Sequence, residues 1–247
     1  MGLAIRIIPT MLVRGRTLVK GTQFNSWRSV GTAAQAAQIH ASRGVDELCI
    51  LDIGATAEGR RPDLNLVEEL TATCFSPISV GGGVRSVDDV RALLASGADK
   101  VVICTGHNEV DNLVRDISDT FGAQAVVVAI DVKHGKYWTR CATHNTECDA
   151  VLAARAVEKL GAGEILLTSV ERDGTMQGYD LDLIRAVSQS VNIPVIASGG
   201  CSSYDDMHQA VKAGASAVAA GALFQFEDAT PREAAHYLHE HNIEVRL

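Results

Sequence analysis

Acidic residues and one lysine stand at the ends of apolar runs, a placement suited to acid–base chemistry. Asp131 closes the apolar run 126–130. A carboxyl group buried at a strand end favours its protonated form, which suits proton transfer. Asp52 and Asp173 stand at or after the ends of two other runs, and Lys20 falls in the loop predicted after the first run, where it can pair with an anion. For Asp52 the alternative is a structural hydrogen bond at the strand end.

Glycine-containing turns follow four of the apolar runs. They are Gly81-Gly82-Gly83, Thr105-Gly106, Ser198-Gly199-Gly200 and Gly221-Ala222. Glycine allows backbone N–H groups to approach a ligand closely, and such groups ahead of a helix bind phosphate. If the turns share one rim in two opposite pairs, they predict an elongated ligand with an anion at each end. The alternative is that each glycine only makes a tight turn.

Charged residues stand at the opposite ends of four runs. Arg6, Glu47, Lys100 and Glu164 each begin a run, two of them basic and two acidic. If they point inward, they form a neutral ring that plugs the floor of the fold or gates the passage of a small neutral molecule. Buried charges of this kind must be paired, because an unpaired one costs several kcal/mol. The alternative is that these side chains simply meet solvent.

The elements that would position these residues alternate regularly. Apolar runs rich in β-branched residues are separated by stretches with apolar residues at helical spacing, a pattern typical of parallel strands covered by helices. Eight such units in 247 residues predict a (β/α)8 TIM barrel, with an open doubly wound sheet as the rival. The eight runs are 6–13, 47–53, 78–81, 100–105, 123–132, 164–170, 193–198 and 215–221.

An internal repeat favours the barrel. The segment 77–83, PISVGGG, matches PVIASGG at 194–200, and Asp88-Asp89 matches Asp205-Asp206 at the same spacing. The sequence therefore predicts one domain, 1–247, made of two half-barrels of about 1–122 and 123–247. In this alignment Leu12 is the counterpart of Asp131, so only one half presents a carboxylate.

Composition excludes several classes of function. A net charge of −8 argues against non-specific nucleic-acid binding. No apolar run approaches the roughly 20 residues of a membrane span. Six irregularly spaced cysteines predict free thiols in a cytoplasmic protein. The segment 141–148 gathers two cysteines, a histidine and a glutamate, and we interpret it as a polar loop, with no metal and no cofactor expected.

The motifs together resemble those of the cyclase subunit of imidazole glycerol phosphate synthase, a duplicated half-barrel of histidine biosynthesis. The similarity covers nearly the whole chain. The segments that carry it most specifically are LVKG at 18–21, LDI at 51–53, VGGG at 80–83, GADKV at 97–101, VVVAID at 126–131, GAGEILLTS at 161–169, RDGT at 172–175 and ASGG at 197–200.

The resemblance implies a glutaminase partner that docks where the strands begin and releases ammonia into the barrel axis. It implies a phosphorylated small molecule or nucleotide-sugar as substrate, with Asp131 as a catalytic residue and Asp99 at the glutaminase interface. The family's ammonia gate falls on Arg6, Glu47, Lys100 and Glu164; its phosphate sites fall on Gly83, Thr105, Asp173, Gly174, Gly200 and Gly221, and other substrate contacts on Lys20, Asp52, Thr168 and Ser198.

Two positions depart from the family pattern. Leu12 stands where the family has a first catalytic aspartate, and Cys104 replaces an asparagine of a phosphate site. Leucine cannot transfer a proton, so the chain resembles a paralogous branch that supplies ammonia for sugar amidation in surface-polysaccharide or nonulosonic-acid synthesis, and that is the expected function. One alternative is the histidine-pathway cyclase, which converts PRFAR and ammonia to imidazole glycerol phosphate and AICAR. The other is a non-catalytic activator of a glutaminase.

Overall fold

The computed structural model describes residues 4–247, so residues 1–3 of the predicted domain lie outside the described part. The strands are β1 (Arg6–Arg14), β2 (Thr17–Thr22), β3 (Asn25–Thr32), β4 (Leu48–Asp52), β5 (Ile78–Gly81), β6 (Lys100–Ile103), β7 (Val126–Lys133), β8 (Lys136–Thr139), β9 (His144–Asp149), β10 (Glu164–Ser169), β11 (Val195–Ser198) and β12 (Ala217–Ala220). The helices are α1 (Ala33–Ser42), α2 (Leu64–Thr71), α3 (Val87–Ala95), α4 (Gly106–Glu109), α5 (Leu113–Phe121), α6 (Ala150–Lys159), α7 (Leu181–Ser188), α8 (Tyr204–Lys212), α9 (Ala222–Phe226) and α10 (Pro231–Glu240).

Eight parallel strands within residues 4–247 close into a barrel. Their order is β1, β4, β5, β6, β7, β10, β11 and β12, and β12 pairs back onto β1, for example Arg6 with Ala217. The predicted (β/α)8 barrel is therefore confirmed, and the open sheet is excluded because the first and last barrel strands are paired.

The strands bury both faces, which explains their continuous apolar runs. A large cluster that includes Ile7, Val101 and Ile165 packs between the strands and the helices. A separate cluster fills the inside of the barrel and consists of Ile8, Cys49, Val102, Val127, Ala129, Leu166, Ile196, Ala217 and Ala219. The inner cluster lies between the two ends of the barrel where the predicted functional residues stand.

Helix caps recur at the spacing of the sequence repeat. Asp63 caps α2 by accepting from the N–H of Leu66, and Asp180 caps α7 by accepting from Leu183. Ser86 and Ser203, again 117 apart, cap α3 and α8 in the same way. Each cap satisfies amides left free at a helix start. The recurrence supports the predicted half-barrels, whose boundary stays a prediction.

Two hairpins correct the predicted loops. Lys20 lies on β2, not in a loop, because β1 continues beyond the barrel and turns back into the antiparallel β2–β3 hairpin. Residues 141–148 are not a loop throughout: after a turn, residues from His144 onward form β9, which pairs with β8. Among residues 4–247, no cluster of three or more His, Cys, Asp or Glu side chains could hold a metal ion.

All six cysteines are free thiols. Within the described residues, no helix has the length and apolar character needed to cross a membrane.

Candidate active site

A cup at the carboxyl ends of the barrel strands gathers most of the predicted site residues. It has a volume of about 1280 Å³, including the open space at its mouth. Because parallel strands place their carboxyl ends on one rim, residues far apart in sequence meet here. The predicted residues that line it are Leu12, Lys20, Asp52, Gly83, Thr105, Asp131, Thr168, Asp173, Gly174, Ser198, Gly200 and Gly221.

Asp131 is a buried carboxyl group of the cup. Its exposed fraction is only 8%. Burial, with a smaller contribution from the charge of Asp173, raises the pKa of Asp131 from 3.8 to about 7. The direction of this shift is the one expected for a carboxyl group buried at a strand end. A carboxyl group with this pKa can both give and take a proton near neutral pH.

Lys20 and Asp173 are two further charged residues that line the cup. Lys20 is buried and donates from Nζ to the carbonyl oxygen of Thr10 at 3.1 Å. Burial lowers the pKa of Lys20 to about 8, and the nearby Asp173 acts against that shift. Burial likewise raises the pKa of Asp173 to about 6, with Lys20 opposing.

Glycines beside Lys20 allow close backbone approach. A Cβ at Gly174 would lie 2.2 Å from the carbonyl oxygen of Gly21, and one at Gly221 would lie 2.3 Å from Nζ of Lys20. A Cβ at Gly200 would lie 2.3 Å from the carbonyl oxygen of Gly178. This side of the cup therefore combines close-packed backbone with one cation, which suits a phosphate.

Gly83 and Thr105 line the cup after β5 and β6. We call this pair the first cradle and the group Gly174, Gly200 and Gly221 the second cradle. Gly83 has a φ of +75°, and a Cβ there would lie 2.5 Å from the carbonyl oxygen of Arg60. The hydroxyl of Thr105 accepts a hydrogen bond from the Arg140 amide at 2.9 Å, which ties the β8–β9 turn to this cradle. The two cradles lie after strands on opposite sides of the barrel, as the sequence predicted.

The hydrogen bonds of Asp52 match its structural interpretation. Its Oδ1 accepts from the amides of Gly54 and Ala55 at 2.9 and 3.1 Å. Its Oδ2 lies 3.1 Å from a guanidinium nitrogen of Arg60. Asp52 borders the cup, but both its oxygens already hold the loop that follows β4. Thr168 and Ser198, by contrast, stand side by side on neighbouring strands at the cup wall.

The other end of the barrel is closed by the predicted ring of charges. Glu47 lies 2.5 Å from a guanidinium nitrogen of Arg6 and 2.8 Å from Nζ of Lys100. Glu164 lies 3.0 Å from Arg6, an ionic contact without hydrogen-bond geometry, and 3.1 Å from Lys100. The ring alternates in sign and points inward, so the solvent-facing alternative is wrong.

Sequence comparison identifies the family of the chain. The profile of the family described as "Histidine biosynthesis protein" matches residues 6–230. A protein of Sulfurisphaera tokodaii is 43% identical over 248 residues, covering 99% of both chains, and one of Sulfolobus acidocaldarius is 44% identical, covering 98% of both. Both relatives are named imidazole glycerol phosphate synthase subunit HisF. The chain belongs to the histidine biosynthesis protein family.

The two residues predicted to depart from the family pattern both lie in the cup. Leu12 and Cys104 both line the cavity that holds Asp131. The Cys104 thiol donates to Oδ2 of Asp131 at 3.4 Å. The cup therefore offers one carboxyl group with a thiol beside it, and a leucine at the position corresponding to that carboxyl in the other half.

Sequence reasoning missed several residues that cover the cup of this family member. Phe24 and Trp27 come from the β2–β3 segment, and Cys141 comes from the β8–β9 turn. The backbone N–H of Gln23 holds the first segment in place by donating to the Asp173 carbonyl oxygen at 2.8 Å. The available signal was the density of β-branched and aromatic residues between 17 and 30, which is typical of strands.

Proposed function

We propose that this chain is the ammonia-using barrel subunit of a glutamine-dependent synthase of the imidazole glycerol phosphate synthase type. The observation that carries the proposal is the inward ring of Arg6, Glu47, Lys100 and Glu164 at one end of the barrel axis, with the cup at the other. The names of the two relatives, which cover nearly the whole chain, support the same activity.

The inside of the barrel suits ammonia and not ammonium. The inner cluster between ring and cup is apolar and contains small residues such as Ala129, Ala217 and Ala219. An ion pays several kcal/mol to leave water for such surroundings, whereas neutral ammonia pays far less. For ammonia to enter, the ring has to open, which requires the loss of at least one of its ion pairs.

The proposed source of ammonia is a glutaminase subunit docked on the face where the barrel strands begin. Asp99 is exposed on that face, directly before Lys100 of the ring. Its Oδ2 accepts from the amide of Ile78 at 2.8 Å, so the carboxylate is held in a fixed position. A fixed exposed carboxylate beside the mouth suits a contact with a basic group of the partner.

In the cup, ammonia adds to a carbonyl carbon of the substrate, and the carbonyl oxygen leaves as water. In this condensation the oxygen gains two protons and the nitrogen loses two, so a proton moves from nitrogen to oxygen twice. Asp131 supplies both transfers in turn, because its pKa of about 7 makes both forms accessible. The two cradles hold the phosphorylated ends, and Lys20 neutralises one of them. The relatives' names favour imidazole glycerol phosphate as the product, and we propose PRFAR as the acceptor and AICAR as the second product.

Leu12 favours a second candidate acceptor. Losing one of two proton-transfer groups costs about 10²–10⁴-fold in rate. A chain that keeps the ring but has leucine in the cup would suit ammonia delivery to a sugar in surface-polysaccharide or nonulosonic-acid synthesis, where cyclisation is not required.

The test is turnover of PRFAR by the purified chain with an ammonium salt, followed by release of AICAR. The histidine-pathway function predicts ammonia-dependent release that Asp131→Asn abolishes. Absence of release in the wild-type chain, with release in Leu12→Asp, would favour the sugar acceptor. If a glutaminase is activated equally by wild-type and Asp131→Asn chains, and neither consumes any acceptor, the barrel acts only as an activator.

A further inference from the structure

The contact between Cys104 and Asp131 is the distinctive polar contact of the cup. The thiol donates to Oδ2 of Asp131 at 3.4 Å, within the range for a sulfur donor. Among residues 4–247, no other group donates a hydrogen bond to either oxygen of Asp131. The second oxygen, Oδ1, therefore remains available to a molecule in the cup.

The backbone of Cys104 is itself held in place. The buried hydroxyl of Tyr137 lies 3.4 Å from the Cys104 carbonyl oxygen and 2.8 Å from Nε2 of His107. The rings of His107 and Tyr137 are stacked with their centroids 5.4 Å apart. A fixed backbone at Cys104 keeps its thiol within reach of Asp131.

We propose that Cys104 is a positioning residue: its thiol occupies Oδ2 of Asp131 and leaves Oδ1 as the oxygen that exchanges a proton with the substrate. This inference rests on the proposed function for its chemical consequence. Its structural part, the hold on Asp131, does not require the identity of the acceptor.

Other groups around Asp131 do not donate a hydrogen bond to it in the described structure. Asp173, on the loop after β10, acts only through its charge and raises the pKa of Asp131. Burial, together with the charge of Asp131, raises the pKa of Tyr137 on β8 and of Cys141 in the following turn. Neither donates a hydrogen bond to it within the described structure. Cys104 is the group whose hydrogen bond favours the charged carboxylate.

The thiol acts as a donor and not as a nucleophile. Burial and the neighbouring Asp131 raise the pKa of Cys104 well above its usual value, so the proton stays on sulfur. A nucleophilic cysteine requires the thiolate, which this site disfavours. In the proposed step, the proton that moves belongs to Oδ1 of Asp131, and the Cys104 proton remains on sulfur throughout.

The experiment measures the titration of Asp131 without any substrate. The carboxyl carbon of Asp131 is followed by carbon-13 NMR in aspartate-labelled protein, with the signal assigned from Asp131→Asn. Cys104→Ala removes the donor and is expected to shift the midpoint upward by about half a pH unit, because a lost hydrogen bond no longer favours the carboxylate. Cys104→Ser keeps a donor and is expected to return the midpoint to near the wild-type value.

Cys74→Ala is the matched control, since Cys74 is also buried but contacts Ser76 outside the cup. It should leave the midpoint unchanged. An unchanged midpoint in Cys104→Ala would overturn the proposal, and so would an equal upward shift in the alanine and serine variants, which would mean that only the local environment matters. If Cys104→Ala does not fold, the same comparison is made between Cys104→Ser and Cys104→Val.

A second measurement tests whether the positioning of Asp131 by Cys104 affects catalysis. With PRFAR and ammonium salt, the pH profile of kcat should shift in Cys104→Ala in the same direction as the NMR midpoint, and serine should restore it. A matching NMR shift with no turnover in any variant would count against the proposed function and leave the positioning intact. Turnover with an unshifted profile in Cys104→Ala would contradict the positioning role.

Discussion

The Nζ of Lys100 lies 2.8 Å from Oε2 of Glu47, although the two residues are 53 positions apart. Lys100 begins β6 and Glu47 directly precedes β4. Arg6 and Glu164 complete the ring around them. The exposed fraction of the Glu47 side chain is 3%, and its Oε1 has no hydrogen-bond partner in the described structure. The ring holds two basic and two acidic side chains, so loss of any one member leaves a charge uncompensated.

Lys100→Ala tests the gate. The substitution leaves Arg6 as the only basic partner of the two glutamates in the ring. We expect the unfolding free energy to fall by about 1–3 kcal/mol, a modest loss because the Lys100 side chain is partly exposed. In complex with a glutaminase, glutamine hydrolysis should continue while less ammonia reaches the product. The ratio of glutamate to product measures this uncoupling. Lys159→Ala, on the exposed side of α6, is the control. A ratio near one in Lys100→Ala would count against a gate.

Leu12→Asp tests whether the cup still recognises the histidine intermediate. The new carboxyl group restores the second proton-transfer group of the family pattern, and we expect ammonia-dependent PRFAR turnover to rise by about 10²-fold or more. Leu12→Asn has the same shape without an acid and should show no such gain. Equal rates for the two variants would show that polarity alone, and not proton transfer, accounts for any effect.

Asp131 should make the folded chain less stable as the pH rises. Its pKa is raised from 3.8 to about 7, so the folded state holds a proton that the unfolded chain has lost. Unfolding free energy therefore falls between about pH 4 and pH 7 by about 2–4 kcal/mol from this group. Urea unfolding of Asp131→Asn should show a gain of that size over wild type at about pH 8 and almost none near pH 4. A gain that does not depend on pH would contradict the raised pKa.

Gly174→Ala tests the cradle beside Lys20. The added Cβ would lie 2.2 Å from the Gly21 carbonyl, so the β2–β3 hairpin must move away from the cup. We expect inorganic phosphate, titrated by calorimetry, to bind at least about 10-fold more weakly, the equivalent of one lost charge-assisted hydrogen bond.

Gly135→Ala is the matched control for that prediction. Gly135 has a φ of +72°, close to the +70° of Gly174, but a Cβ there meets nothing within 4 Å. It should lose about 1–2 kcal/mol of stability from backbone strain and keep its phosphate affinity. If both variants lose phosphate binding equally, strain and not the cradle is responsible.

The sequence predicted most of the barrel because both faces of its strands are buried, which leaves a clear apolar signal. Arg6, Glu47, Lys100 and Glu164 were predictable because each directly begins such a run. The hairpin that carries Lys20 was not, because residues 17–32 extend beyond the barrel and their pairing depends on tertiary contacts such as Gln23 with Asp173. A structural hydrogen bond at Asp52 was foreseen as an alternative, but its partner Arg60 was not, since Arg60 reaches Asp52 from a loop without a regular pattern.

The most direct test of the central claim is the source of the nitrogen in the product. The barrel in complex with a glutaminase is given glutamine labelled with nitrogen-15 in its side-chain amide, together with an excess of unlabelled ammonium. Delivery through the ring and the apolar lumen predicts a product labelled almost completely, because the ammonia never meets the bulk pool. A product diluted to the isotopic composition of the surrounding ammonium would contradict passage through the barrel.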